Sequence, residues 1–86
     1  MKEFKYVITD AEGIHARPAG ELIKAVKAFK ETSIKIAKNG KAVDCKKIFG
    51  VMGLGVKQGE EVTLTFDGPE EDAAFEAISK FMQENL

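Results

Sequence analysis

The chain has 86 residues, enough for one small domain spanning 1–86 and near the size at which a single core is only marginally sufficient. Hydrophobic residues at 44% and charged residues at 31% describe an ordinary globular composition. Thirteen Lys and Arg against fourteen Asp and Glu give a formal charge of −1, which excludes a nucleic-acid binder relying on bulk charge, and no apolar run approaches membrane-spanning length.

The N-terminal Met1-Lys2-Glu3-Phe4-Lys5 lacks the apolar core of a secretion signal, so the cytoplasm is the expected compartment. Phe4, Tyr6 and Ile8 alternate with Lys5, Val7 and Thr9, a period of two that predicts a half-buried strand. From Ala16 the period changes: Ala19, Leu22, Ile23, Val26 and Phe29 or Lys30 follow helical spacing. Pro18 suits the first turn of that helix, where its missing N–H forfeits no bond. The opposite helix face carries Arg17, Gly20, Lys24 and Lys27, a basic stripe suited to an acidic partner.

Ser33–Ala37 and Ala42–Cys45 flank Asn39-Gly40, a strong signal for a tight hairpin. The lone Cys45 can form neither an internal disulfide nor a zinc site, and no metal or cofactor is expected. Lys47–Leu54 is a short apolar element, and Val62, Leu64 and Phe66 alternate as a further strand. Pro69-Glu70-Glu71-Asp72 opens a last helix with acidic groups at its positive end, and Ala73, Ala74, Ala77, Ile78, Phe81 and Met82 are its expected buried stripe. The order βαββαβα predicts an α+β fold, a two-layer sandwich of helices on a sheet.

The chemistry concentrates in Gly13-Ile14-His15-Ala16-Arg17-Pro18, which holds the only histidine. A neutral imidazole is a competent nucleophile near neutral pH. The helix start just beyond it offers free N–H groups and the positive end of a dipole, which disfavours imidazolium and suits an anion. Nucleophile, cation and helix end together fit a phosphoryl group carried on His15; a lone histidine serving as a cap or a partly buried packing residue is the other reading of the same residues. Gly50, Gly53 and Gly55 superficially suggest a phosphate loop but lack the strand and long helix such a loop requires.

The run Gly13-Ile14-His15-Ala16-Arg17-Pro18-Ala19 resembles the active-centre signature of the HPr family, the histidine-containing phosphocarriers of the bacterial phosphoenolpyruvate:sugar phosphotransferase system. The likeness extends over the whole chain, including Asn39-Gly40 and the segment Lys47–Gly55. It implies a four-stranded antiparallel sheet with three helices on one face, a transient phosphoryl group on Nδ1 of His15, Arg17 as its electrostatic partner, and Pro18 holding the start of the helix. It also implies a stoichiometric carrier without catalytic activity of its own, receiving phosphoryl groups from enzyme I and passing them to sugar-specific enzyme IIA domains. A monomer is expected. A regulatory paralogue signalling through the phosphorylation state of His15 is the alternative.

The resemblance assigns docking to Ile48, Phe49 and Met52, beside Ala16, Gly20, Lys24 and Lys27 on the first helix. Large apolar groups usually lie inside, so about half of this short apolar segment is expected in the core. Two departures from the family stand out. Lys47 occupies the position of the serine that opens the short helix in most HPr proteins, which removes a regulatory hydroxyl and a helix cap unless Asp44 substitutes; its charge extends a basic rim beside Lys46. Glu12 replaces a small or neutral residue. It is expected to point to solvent; turned inward, it would make the phosphoryl group leave more readily.

Overall fold

The computed structural model describes all of residues 1–86. The elements are β1 (Lys2–Val7), α1 (Ala16–Lys27), β2 (Ser33–Lys38), β3 (Lys41–Asp44), α2 (Ile48–Gly53), β4 (Glu61–Asp67) and α3 (Glu71–Asn85). The strands form one antiparallel sheet in the order β1-β4-β2-β3. The last strand in the chain therefore lies in the middle of the sheet. Its apolar triplet explains this position, because Val62, Leu64 and Phe66 are fully buried and Leu64 pairs with Phe4 on one side and Ile36 on the other.

Strand alternation puts Phe4, Tyr6, Ile34 and Ile36 on the same face as this triplet, and the three helices cover it to build one continuous core. Lys5, Val7, Lys35, Thr63 and Thr65 occupy the opposite, open face. Asn39 and Gly40 turn the β2–β3 hairpin with φ of 52° and 82°, both in the left-handed region that the Asn-Gly pair tolerates.

The structure revises several expected boundaries. Helix α1 stops at Lys27, with the N–H groups of Ala28 and Phe29 bonding three residues back, so Phe29 lies beyond the helix. On α3, Ala73 and Ala77 are exposed, and the buried stripe is Ala74, Ile78 and Met82, flanked by the partly buried Phe75 and Phe81. Phe75 reaches what an alanine cannot. Its ring meets Phe4 and Phe66 edge-on at 5.9 and 5.7 Å, and Lys2 Nζ sits 5.3 Å from its centroid. Strand β3 begins at Lys41 and ends before Cys45, which turns into the core and donates its N–H to Ile34 O at 2.9 Å.

Burial pushes the Cys45 thiol up from its ordinary 9.0 to about 12, with the Asp44 charge adding to the shift. Below pH 9 both folded and unfolded chains keep this proton. Above it the unfolded chain loses the proton first, so stability declines between about pH 9 and about 12, at about 1.4 kcal/mol per pH unit. Urea unfolding of wild type and Cys45→Ala across this window checks the effect: the pH slope should be shallower in the variant. The native thiol should also resist alkylation at neutral pH.

Candidate functional site

The segment between β1 and α1 is fastened at both ends before it presents a side chain. The N–H groups of Thr9 and Asp10 and the Thr9 hydroxyl all donate to the carbonyl of Leu86, just past the end of α3. Asp10 Oδ1 accepts the N–H of Glu12 at 2.8 Å, an Asx-type turn, and Asp10 O accepts the N–H of Gly13 at 2.9 Å. Gly13 then adopts φ of 68°, and a Cβ there would lie 2.2 Å from Val56 O. Ile14 follows as a buried anchor whose N–H donates to that same carbonyl at 3.1 Å.

His15 caps the N-terminus of α1 with an extended backbone, and its carbonyl accepts the N–H of Ala19 at 2.9 Å. Its ring makes no capping hydrogen bond. The N–H groups of Ala16 and Arg17 have no acceptor within the helix, and the buried Pro18 has no N–H to leave unsatisfied. A partly exposed imidazole thus stands beside two free backbone donors at the positive end of a 12-residue helix.

An open cleft lined by Asp10, His15, Arg17, Pro18, Glu21 and Asn85 surrounds the ring. Asp10 Oδ1 lies 3.8 Å from Nε2, and Glu12 Oε2 lies 3.8 Å from Nδ1. The expectation that Glu12 points to solvent holds for its exposure but not for its distance from the ring. Its side chain is 76% exposed, but its carboxylate faces the imidazole because the Asx turn at Asp10 folds the segment back over the ring. Arg17 shares the cleft, with its Nε 3.9 Å from Glu21 Oε1 and its side chain 87% exposed. Such an exposed pair contributes at most about 1 kcal/mol, so the guanidinium can exchange partners readily.

Along α1, Ala16, Lys24 and Lys27 are exposed, and a Cβ on Gly20 would meet nothing within 4 Å. Glu21 interrupts the basic character of this face. Helix α2 packs against α1 and buries Val51, leaving Phe49 87% and Met52 38% exposed, while Ile48 is partly buried against the core. Lys47 caps α2 without a side-chain hydrogen bond. Asp44 does not replace the missing cap, because its Oδ1 accepts the N–H of Lys46 at 2.9 Å. Nor does Lys46 belong to a free basic rim: its Nζ donates to Phe29 O and Thr32 O, each at 2.8 Å, and ties the segment after β3 to the connection between α1 and β2.

Sequence reading missed Asp10, Glu21 and Asn85 as neighbours of the histidine. The Asx turn at Asp10 had a local signal, an aspartate two residues before the N–H it receives, whereas Asn85 reaches the cleft only through tertiary packing.

A family model described as the PTS HPr component phosphorylation site matches residues 2–84. The chain belongs to the HPr family. It is 42% identical over 84 residues to the phosphocarrier protein HPr of Lysinibacillus sphaericus, covering 98% of this chain and 94% of that one. The Mycoplasma histidine-containing phosphocarrier protein superposes with a TM-score of 0.91 at 38% identity, over 96% of this chain and 93% of the other. Bacillus subtilis Crh, a catabolite-repression relative solved as a swapped, intertwined dimer, gives a TM-score of 0.77 at 34% identity over 100% of this chain and 98% of its own. HPr proteins are phosphocarriers of the phosphotransferase system, carrying a phosphoryl group on histidine rather than acting as catalysts. The open four-stranded sheet with three helices is the HPr fold.

Proposed function

We propose that this HPr-family chain works as a monomeric cytoplasmic domain over residues 1–86, taking a phosphoryl group from phospho-enzyme I onto His15 and delivering it to sugar-specific enzyme IIA domains. The observation that carries this reading is the partly exposed His15 ring at the N-cap of α1, beside two unpaired N–H groups. Transfer proceeds when the lone pair of a ring nitrogen attacks phosphorus and the bond to the donor breaks. Phosphoryl transfer of this kind asks the protein chiefly for position and electrostatics. The N–H groups of Ala16 and Arg17 and the Arg17 guanidinium then face the new negative charge. Pro18 stiffens the turn that aims them.

Ala16, Gly20, Lys24 and Lys27 on α1 and Ile48, Phe49 and Met52 on α2 form the docking surface in this reading. An apolar centre bordered by cations suits an acidic partner with an exposed hydrophobic pocket. Lys47 leaves the surface without the serine hydroxyl that a regulatory kinase would modify, which fits a carrier lacking that switch.

Incubation with enzyme I and phosphoenolpyruvate, followed by intact mass measurement, tests the assignment. One acid-labile, base-stable phosphoryl group is expected, and it should move to an added enzyme IIA domain. Reversing the stripe charges with Lys24→Glu and Lys27→Glu should slow loading by roughly tenfold or more at low salt and leave the urea midpoint unchanged, because charge steering acts on association rate. The difference should fade as salt rises. Equal loading rates at low salt would reduce the stripe to a solvated face.

A further inference from the structure

Both nitrogens of the His15 ring face a carboxylate, an arrangement a phosphate acceptor does not need. Glu12 Oε2 lies 3.8 Å from Nδ1, and Asp10 Oδ1 lies 3.8 Å from Nε2. The two carboxylates differ in freedom. Asp10 is 31% exposed and held by the N–H of Glu12, while Glu12 is 76% exposed and has no other partner in the structure. The remaining charged groups of the cleft are Arg17 and Glu21, which pair with each other.

We propose that Asp10 and Glu12 are positioning residues that make the phosphoryl group on His15 quick to leave. The idea rests on the carrier reading for its biological use, but its chemistry depends only on His15 being phosphorylated. With phosphorus on Nδ1, the Glu12 carboxylate, which lies 3.8 Å from that nitrogen in the unloaded protein, is pushed aside by the phosphoryl oxygens yet stays near them, and its charge raises the energy of the loaded state. Asp10 meanwhile stabilises a proton on Nε2, so the ring departs as a neutral imidazole rather than as an imidazolate. In hydrolysis, water attacks phosphorus, the N–P electron pair returns to Nδ1, and both water protons end on orthophosphate, because the ring already carries its proton on Nε2. In transfer, the acceptor's nucleophile takes the place of water. The Ala16 and Arg17 amides and the Arg17 guanidinium oppose this push, and the balance sets a loaded state that is formed but not trapped.

The test loads His15 without enzyme I. Phosphoramidate transfers its phosphoryl group to the ring as ammonia leaves and takes up the ring proton as ammonium. His15 is the only histidine, so the site of loading is unique. The lifetime of the phosphoryl group is then followed by intact mass and by phosphorus NMR, which also reports the nitrogen occupied. Glu12→Gln should lengthen the lifetime about fivefold, the factor expected for removing one unit charge about 4 Å away in water. Asp10→Asn keeps an oxygen for the Glu12 N–H and should lengthen it further, so that the double variant gains roughly tenfold or more. One molar salt should shrink both differences, because the screening length falls to about 3 Å. A merely structural role would not respond to salt in this way. Lifetimes within about twofold of wild type, or shorter ones, in variants whose urea midpoints are unchanged would overturn the proposal. Failure of enzyme I to load the wild-type chain would instead overturn the carrier reading and leave the lifetime comparison standing.

Discussion

A His15→Ala variant incubated with enzyme I and phosphoenolpyruvate is expected to gain no phosphoryl group, while the wild-type chain should gain one. The loss should be complete, because the chain has no second histidine to offer a neutral ring nitrogen. It should also be purely chemical. The His15 ring makes no capping hydrogen bond, and the cap's structural work is done by its backbone carbonyl, which accepts the Ala19 N–H and remains in the variant. Unfolding free energy should therefore stay within about 0.5 kcal/mol of wild type, the usual range for a substitution away from packing or capping features. Intact mass before and after acid treatment, paired with a urea melt, makes both comparisons. A phosphoryl group that survives the substitution, or one that is stable to acid and lost in alkali, would place the chemistry on a hydroxyl and remove His15 from the centre of the site.

The second large effect is expected at Gly13, where nothing in the chemistry would suggest it. A methyl group there would sit 2.2 Å from Val56 O and carry a φ of 68°. The backbone conformation alone is unfavourable for alanine by about 1–2 kcal/mol. The overlap cannot be relieved by a rotamer change, because the obstacle is a main-chain carbonyl that also accepts the Ile14 N–H. Gly13→Ala should destabilise by roughly 3–5 kcal/mol in total, a large share of what a small domain possesses. Gly40→Ala is the matched control. It has a similar φ of 82° but open space around the added carbon, so only the conformational cost of about 1–2 kcal/mol applies. In the fraction of Gly13→Ala that still folds, loading of His15 should be slowed as well, since moving the Val56 anchor moves the ring. Equal urea midpoints for the two alanine variants would show that the β1–α1 segment yields freely and does not hold the histidine in place.

The position of His15 at a helix start was legible because its signals are local. A change from period two to helical spacing at Ala16, a proline in the first turn and a cation two residues on all lie within one short stretch of chain. The hairpin at Asn39-Gly40 was legible for the same reason, since both residues tolerate the left-handed conformations they adopt. The exposed end of α2 was readable from composition, because a six-residue helix cannot hide every large apolar side chain it carries. The errors lay where a side chain's fate depends on something distant. Helical spacing made Ala73 and Ala77 as plausible a stripe as any, but Phe75 fills the space above Phe4 and Phe66 and sets the helix face. Lys46 reads as one more surface cation until the carbonyls of Phe29 and Thr32 are brought to it.

The sequence by itself determined the element types, the apolar face of each strand, and the placing of His15 at a helix start. Each follows from backbone geometry and burial acting over a few neighbouring residues. Only the tertiary structure decided that β4 lies between β1 and β2, because antiparallel partners are chosen by matched apolar faces across the sheet, and adjacency in the chain does not encode that choice. The same long-range pairing brings Val56 under Gly13 and the end of α3 against Thr9 and Asp10. Those contacts fix in place the segment that the local Asx turn at Asp10 folds back over His15, so that Asp10 and Glu12 face the ring, while Asn85 joins the cleft through packing alone.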